Sequence, residues 1–327
     1  MKKLDFVIAW VDGSDENHRL KRQQFQPENV VKGAAEDTRF AHNDEIYFSI
    51  ASILKYVPYC GTIYIITDHQ QPSFVGEFEA QALCRSGQIQ VVDHQEIFRN
   101  YQQYLPTFNS LSIESMLWNI KGISNHFIYL NDDFFFNQQS DLSDFLIDGQ
   151  MVIYGHWQAT LIKKMKYIFR KFLQQNFGMV AEAKYSTAQM LSADRVGMTR
   201  YYEIHHRPHI LSRDLLSTYF KNNKELLEQQ IQFKFRNIDQ LLPVGLSNHL
   251  AIQSDQAILK DDIDIAYLKD GRDLEKFILA LSNSEIKFGC IQSLDQLESL
   301  AEGRIRAALI QKFTGFLPSQ IQPTTVV

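Results

Sequence analysis

Apolar residues along this chain fall into two periods. Short, nearly continuous apolar runs at residues 4–11, 62–67, 89–92 and 127–130 are bounded by turn residues and read as buried strands. Between them, Ile46, Ile50, Ile53, Leu54 and Val57 recur at the helical period behind a capping Asn43 or Asp44. Pro58 stops that run, which predicts a helix to about Tyr56. Leu111, Met116, Leu117 and Ile120 predict another over 110–121, ended by Gly122. Strand and helix alternate through the first 137 residues, and the strands carry too few polar positions to face water on either side. That pattern predicts an α/β fold, a mostly parallel, Rossmann-like sheet covered by helices.

After Gly155 the pattern changes. Leu161, Ile162, Met165, Ile168, Phe169 and Phe172 recur at helical spacing, interleaved with Lys163, Lys164, Lys166, Arg170 and Lys171 and with no acid. This is a basic amphipathic helix, a candidate for contact with anionic lipid as well as for an ordinary solvated face. Further helices are expected at 213–231, 273–282 and 294–313. No Pro/Gly/Ser-rich linker and no internal repeat interrupts the chain. The expected organisation is one catalytic unit: a core over 1–155, a basic helical insertion over 156–190, and a mainly helical remainder over 191–327 packed on the core.

Composition narrows the class. The 327 residues are 45% hydrophobic and 22% charged, ordinary for a globular protein with a sizeable core. The net charge of −5 argues against a globally basic nucleic-acid binder, and no nucleic-acid partner is expected. Cys60, Cys84 and Cys290 are few, odd in number and far apart, which argues against a disulfide framework or a structural zinc site and fits a reducing cytosol. The short first apolar stretch with its early Asp5 does not read as a signal peptide, and no run is long enough to span a membrane. A cytoplasmic protein, at most peripheral to a membrane, is the expectation.

Glycine-rich nucleotide loops, Walker A, HExxH and GxSxG motifs do not occur. The loop Asp12-Gly13-Ser14-Asp15-Glu16 resembles a calcium loop but has Asn17 and Gln23 where Gly and Glu are needed. What remains is polar clusters at strand ends, where parallel α/β sheets bind ligands. Asn131-Asp132-Asp133 follows an apolar strand. Adjacent carboxylates beside a core are costly without a cation, so they either hold a divalent metal or open a turn. Glu114 lies on a predicted helix, either as a general base or as an exposed helix residue. The run His205-His206-Arg207-Pro208-His209 and the fork of Arg236 offer base catalysis, metal ligation or phosphate contact, against a solvated loop and a surface Arg.

Together these segments resemble the Stealth-family sugar-1-phosphate transferases, which include bacterial capsular polysaccharide phosphotransferases and the catalytic region of lysosomal N-acetylglucosamine-1-phosphotransferase. The resemblance is carried by Asp5-Phe6-Val7-Ile8-Ala9-Trp10-Val11-Asp12-Gly13-Ser14-Asp15. It continues in Arg39-Phe40, Asn43-Asp44-Glu45-Ile46, Tyr64-Ile65-Ile66-Thr67-Asp68, Leu105-Pro106-Thr107-Phe108-Asn109-Ser110, Ile113-Glu114-Ser115 and the segment from Phe127 to Phe136. Two positions depart from the family pattern. His-Met-Pro is here His206-Arg207-Pro208, and Cys-Leu-Asn-Asp is Cys290-Ile291-Gln292-Ser293.

The resemblance implies a GT-A-resembling α/β core that binds a nucleotide sugar and a metal. It also implies transfer of a hexose-1-phosphate from a UDP-hexose or UDP-N-acetylhexosamine to a hydroxyl of a glycan or lipid-linked oligosaccharide, with release of UMP, in capsule or exopolysaccharide synthesis. Glu114, Asp133, His206 and Arg236 match the family's essential set. Asp132 and Asp133 would hold Mg²⁺ or Mn²⁺, and Arg236 would neutralise phosphate charge. His206 or Glu114 would take the acceptor's proton. Trp10, Asp12, Gly13, Ser14, Asp15, Arg39, Asp44 and Asn109 would line the nucleotide-sugar side. The alternatives are a metal-dependent glycosyltransferase releasing UDP and a non-catalytic sugar-nucleotide-binding protein of an assembly complex.

Overall fold

The computed structural model describes residues 3–26, 44–179, 181, 183–292, 294 and 297–321. Arg39, Asn43 and Ser293 lie outside the described residues. The β-branched and aromatic runs of the first half form β1 (Leu4–Ala9), β2 (Cys60–Thr67), β3 (Ile89–Asp93) and β4 (His126–Asn131). These pair in parallel in the order β3, β2, β1, β4. Helices α1 (Glu16–Phe25) and α2 (Glu45–Tyr56) connect β1 to β2. Helix α3 (Ser73–Ala80) connects β2 to β3, and α4 (His94–Ile97) and α5 (Ser110–Glu114) lie between β3 and β4. Phe6, Val7, Ile8, Ile63, Ile65 and Ile128 are fully buried, as expected for strands covered on both faces.

The chain steps from β1 to β2 and β3 on one side, then returns to place β4 on the other side of β1. The second half completes sheets begun by the first. β10 (His209–Ser212) adds to β4 in the antiparallel sense. β5 (Phe134–Phe136) pairs with β13 (Phe288–Ile291), itself paired with β12 (Ala266–Leu268). β7 (Gln150–Tyr154) lies between β6 (Leu146–Ile147) and β11 (Ala257–Lys260), and β8 (His156–Ala159) pairs with β9 (Arg200–Glu203). The rest of this half is helical: α6 (Thr160–Phe177), α7 (Tyr185–Arg195), α8 (Arg213–Asn222), α9 (Lys224–Ile231), α10 (Pro243–Gln253), α11 (Leu274–Ser282) and α12 (Ser299–Lys312). The class is α/β, with a mainly helical second half that, among the described residues, also supplies six strands, β8 to β13, of at most four residues each.

Two helices are shorter than their periodicity predicts. The helix expected over 110–121 ends at Glu114, and a single 3-10 turn follows at Leu117–Asn119. Local side-chain bonds break it: the Ser115 hydroxyl donates to the Leu111 carbonyl at 2.7 Å, and the Trp118 indole donates to the Ser115 carbonyl at 2.8 Å. The helix expected over 213–231 divides at Asn223, whose amide donates to the Tyr219 carbonyl at 2.8 Å.

Helix α6 is inverted relative to an ordinary surface helix. Its polar face turns inward. Lys163 meets the Tyr201 hydroxyl and Glu203, Lys164 pairs with Asp194 at 2.5 Å, and Lys171 pairs with Asp239 at 3.0 Å. Leu161, Ile162, Met165, Ile168, Phe169 and Phe172 face outward, each more than half exposed.

Gly289 on β13 lies under the Phe135 ring of β5, where an added Cβ would stand 2.1 Å from a ring carbon. Gly289→Ala should therefore cost ~1–3 kcal/mol by overpacking. Gly76→Ala, in open space on α3, should be neutral or stabilising. Chemical denaturation of the two variants checks the contrast, which fails if Gly289→Ala is as stable as the parent.

Candidate active site

Open α/β sheets bind ligands beyond the carboxyl ends of the strands, at the point where the strand order reverses. Here that point lies between β1 and β4. A cavity of about 410 Å³ opens beside it, at the carboxyl end of β4 on the side away from β1, lined among others by Glu114, Tyr129, Asn131, Tyr185, His206, Arg236 and Gln292.

The edge strand delivers His206. β10 runs antiparallel to β4 with His209 opposite Tyr129, so the residues before His209 emerge beyond the carboxyl end of β4. The His206 ring stacks against Tyr185 at 4.8 Å and Tyr267 at 6.2 Å, with Phe134 edge-on at 6.2 Å. Burial lowers its pKa, and the neighbouring Arg236 and His205 lower it further, so the imidazole is neutral and basic at pH 7. His209 is buried on β10 and lines the same cavity.

Arg236 lies in the segment between α9 and α10, which a buried amide network holds against α5. Asn109 donates to Gln240 at 2.8 Å and to the Phe233 carbonyl at 3.2 Å. Gln240 donates to the Gln230 carbonyl at 2.8 Å, and Gln230 donates to the Leu241 carbonyl at 2.8 Å. The Arg236 guanidinium then donates to the Ser110 hydroxyl at 2.7 Å, one turn before Glu114.

Glu114 is buried, which excludes the exposed helix residue left open by its sequence. Burial raises its pKa to about 7, and the Arg236 charge only partly offsets this. The Tyr129 hydroxyl donates to Oε1 at 3.3 Å, while Oε2 is buried with no hydrogen-bond partner among the described residues. Asp132 and Asp133 occupy the turn between β4 and β5. Burial raises both pKa values to about 7, helped for Asp132 by the charge of Asp133 and for Asp133 by that of Glu45. Cys290 donates its thiol to Asp133 Oδ2 at 3.5 Å, and Asp133 Oδ1 is buried and unbonded among the described residues. Two adjacent carboxylates carrying an unsatisfied buried oxygen are a donor set that fits a hard divalent cation.

Asp132 and Asp133 are not among the lining residues, although Asn131 and Phe134 on either side of them are, and the remaining candidates also stand outside this cavity. Trp10 is buried edge-on to Phe74 at 5.1 Å. Asp12 accepts from the Ser14 amide at 2.8 Å and exchanges backbone bonds with Gln70; Gly13 lies in the same turn. Asp15 caps α1 by accepting from the His18 amide at 2.7 Å. Asp44 precedes α2 and pairs with Arg306 at 2.5 Å. Asn109 is fully buried in the amide network. Residues with no assigned role also line the cavity. Tyr129 and Asn131 belong to a conspicuous motif and Gln292 to the Cys290–Ser293 segment that departs from the family pattern, but Tyr185 and Gln240 carry no signal of their own. Gln292 is held by the Tyr267 hydroxyl at 2.5 Å, so the variant Cys290–Gln292 segment borders both the cavity and Asp133.

A family model described as Stealth protein CR2, conserved region 2, matches residues 39–153. A capsular polysaccharide phosphotransferase of Actinobacillus pleuropneumoniae is 39% identical over 43% of this chain and 38% of its own length. Residues 39–153 thus resemble the second conserved region of the Stealth proteins. The matched region holds Glu114, Asp132 and Asp133, while His206 and Arg236 lie beyond it. An exopolysaccharide phosphotransferase of Streptomyces coelicolor extends the likeness at 29% identity over 82% of this chain, but over only 27% of its own length. The chain thus spans well under half of each of these two relatives. Among solved structures, the apo WbbM bifunctional glycosyltransferase aligns over 98% of the chain and 51% of its own, with TM-score 0.46 and 9% identity. The α/β class rests on the chain's own sheet order.

The raised carboxyls have a signed consequence for stability. Their pKa values rise on folding from about 4 to about 7, so the folded state holds more protons between those values and loses stability as pH rises through them. Asp133→Asn removes that penalty. In EDTA-treated protein it should raise Tm by a few degrees at pH 8 and much less at pH 5. An equal gain at both pH values would rule out buried charge as the cause.

Proposed function

We propose that this chain transfers a hexose-1-phosphate from a UDP-sugar to a hydroxyl of a glycan acceptor, forming a phosphodiester and releasing UMP, in bacterial capsule or other cell-surface polysaccharide synthesis. The observation that carries this reading is the convergence of Glu114, His206 and Arg236 on one cavity beside Asp132 and Asp133. The printed names of the relatives, capsular and exopolysaccharide phosphotransferases, agree with it.

The acceptor oxygen attacks the β-phosphorus, the bond from that phosphorus to the bridging oxygen breaks, and UMP leaves. Phosphoryl transfer of this kind depends on positioning and charge neutralisation. Neutral His206 accepts the hydroxyl proton at a ring nitrogen whose plane the two tyrosines fix. Glu114, poised near pH 7, is the second proton carrier. Arg236 places a permanent cation where phosphate charge builds up. Asp132 and Asp133 would hold Mg²⁺ or Mn²⁺, which when bound supplies neutralisation of the diphosphate. The Asp12–Asp15 turn and Arg39 belong to the nucleotide side in this reading, and Asn109 acts by holding the Arg236 segment.

The outward apolar face of α6, flanked by Lys166 and Arg170, is the contact to an anionic membrane that carries a lipid-linked acceptor. It does not span: among the described residues no helix is long and apolar enough to cross a membrane.

Incubation with UDP-sugars and acceptor should release UMP in a divalent-metal-dependent reaction; release of UDP would identify a glycosyltransferase instead. His206→Ala and Arg236→Ala should each lower kcat by at least ~100-fold without unfolding the protein. In flotation assays, vesicles containing phosphatidylglycerol should carry the chain upward. Phe169→Glu with Phe172→Glu should abolish this, and equal flotation of parent and variant would remove α6 from the proposal.

A further inference from the structure

A second group of metal-ligating side chains stands outside the cavity. His156 opens β8 and faces Glu203 across the β8–β9 pair. His205 follows β9, and Asp262 lies between β11 and β12. Gly155 permits the close approach, since a Cβ there would stand 2.1 Å from the Glu203 carbonyl oxygen. His156 Nδ1 contacts Asp262 Oδ2, and His205 Nε2 lies 3.4 Å from Asp262 Oδ1. One ligand atom from each of His156, His205 and Asp262 falls within 4.8 Å of the other two. All three side chains are open enough to solvent for an ion to enter.

Ligand atoms at about 2.0–2.1 Å from a tetrahedral zinc stand roughly 3.3 Å apart, a spacing that small rotations of these side chains reach. Two imidazoles and one carboxylate favour zinc over magnesium, which prefers oxygen ligands alone. Glu203 Oε2 lies 3.9 Å from His156 Nε2, but that carboxylate accepts from the Tyr201 hydroxyl at 2.9 Å and faces Lys163. Water is therefore left for the fourth position.

We propose that His156, His205 and Asp262 bind a divalent transition-metal ion, zinc foremost, at a site separate from Asp132 and Asp133. The ion would clip three segments together next to the candidate base. His205 adjoins His206, and Asp262 precedes by five residues the Tyr267 that stacks on it. Its role is to position the imidazole.

The test is calorimetric and independent of turnover. EDTA-stripped, dialysed full chain is titrated with ZnCl₂ and, in parallel, MgCl₂. Zinc should bind at a site that magnesium does not fill. That binding should vanish in His156→Ala, His205→Gln and Asp262→Asn, each shown by circular dichroism to be folded, and persist in the Asp132→Asn, Asp133→Asn double variant. Cobalt(II) at the same site should give intense tetrahedral d–d bands, lost in the same three variants. No zinc binding, or binding that survives the three variants, overturns the proposal. UMP release is measured separately, so failure here leaves the transferase reading standing.

Discussion

The pairing of β10 with β4 is the constraint on which the site depends. Four parallel strands alone offer a crevice, two carboxylates and a buried glutamate, but no base and no cation. An antiparallel edge strand necessarily begins where its parallel neighbour ends. That geometry brings the His205–His209 run to the carboxyl end of β4 with no long loop, and it places His209 opposite Tyr129. Of what the second half contributes to the cavity, this ladder places His206 and His209.

The buried amides do for Arg236 what the ladder does for His206. Asn109, Gln230 and Gln240 are almost wholly withdrawn from water, and such groups are tolerated only when bonded. Their bonds run from the start of α5 to the turn after α9, so the same network fixes the helix carrying Glu114 and the segment carrying Arg236. Burial then sets the chemistry. It pushes the Glu114 carboxyl up to about 7, where it can exchange a proton near neutral pH, and it pushes the His206 imidazole down, which keeps that ring neutral and able to accept one.

The parallel layer was legible in the sequence because strands buried on both faces read as unbroken apolar runs. Strands β9 to β13 were not legible, since three or four residues cannot display a period. Asp132, Asp133, His206 and Arg236 stood out by residue type, but their meeting is a matter of topology that no local pattern encodes. Tyr185 is a single side chain on a segment without a motif, and Gln292 was visible only as a departure from one. For α6 the periodicity correctly showed one apolar face, yet could not say which way it points. That direction was decided by acids far away in the chain, Asp194, Glu203 and Asp239, which draw the lysines inward.

The amide network also orders events in time. Asn109 and Gln240 are 131 residues apart, so a chain emerging from the ribosome makes the parallel strands well before it can lock the Arg236 segment. A nascent sheet of this kind carries Glu114, Asp132 and Asp133 open to water, where they are ordinary acids of low pKa. Their unusual protonation is acquired only when the second half closes over them. Closure of the second half is therefore coupled to a proton uptake, and the raised pKa of these carboxyls comes from residues the ribosome has yet to deliver when they are made.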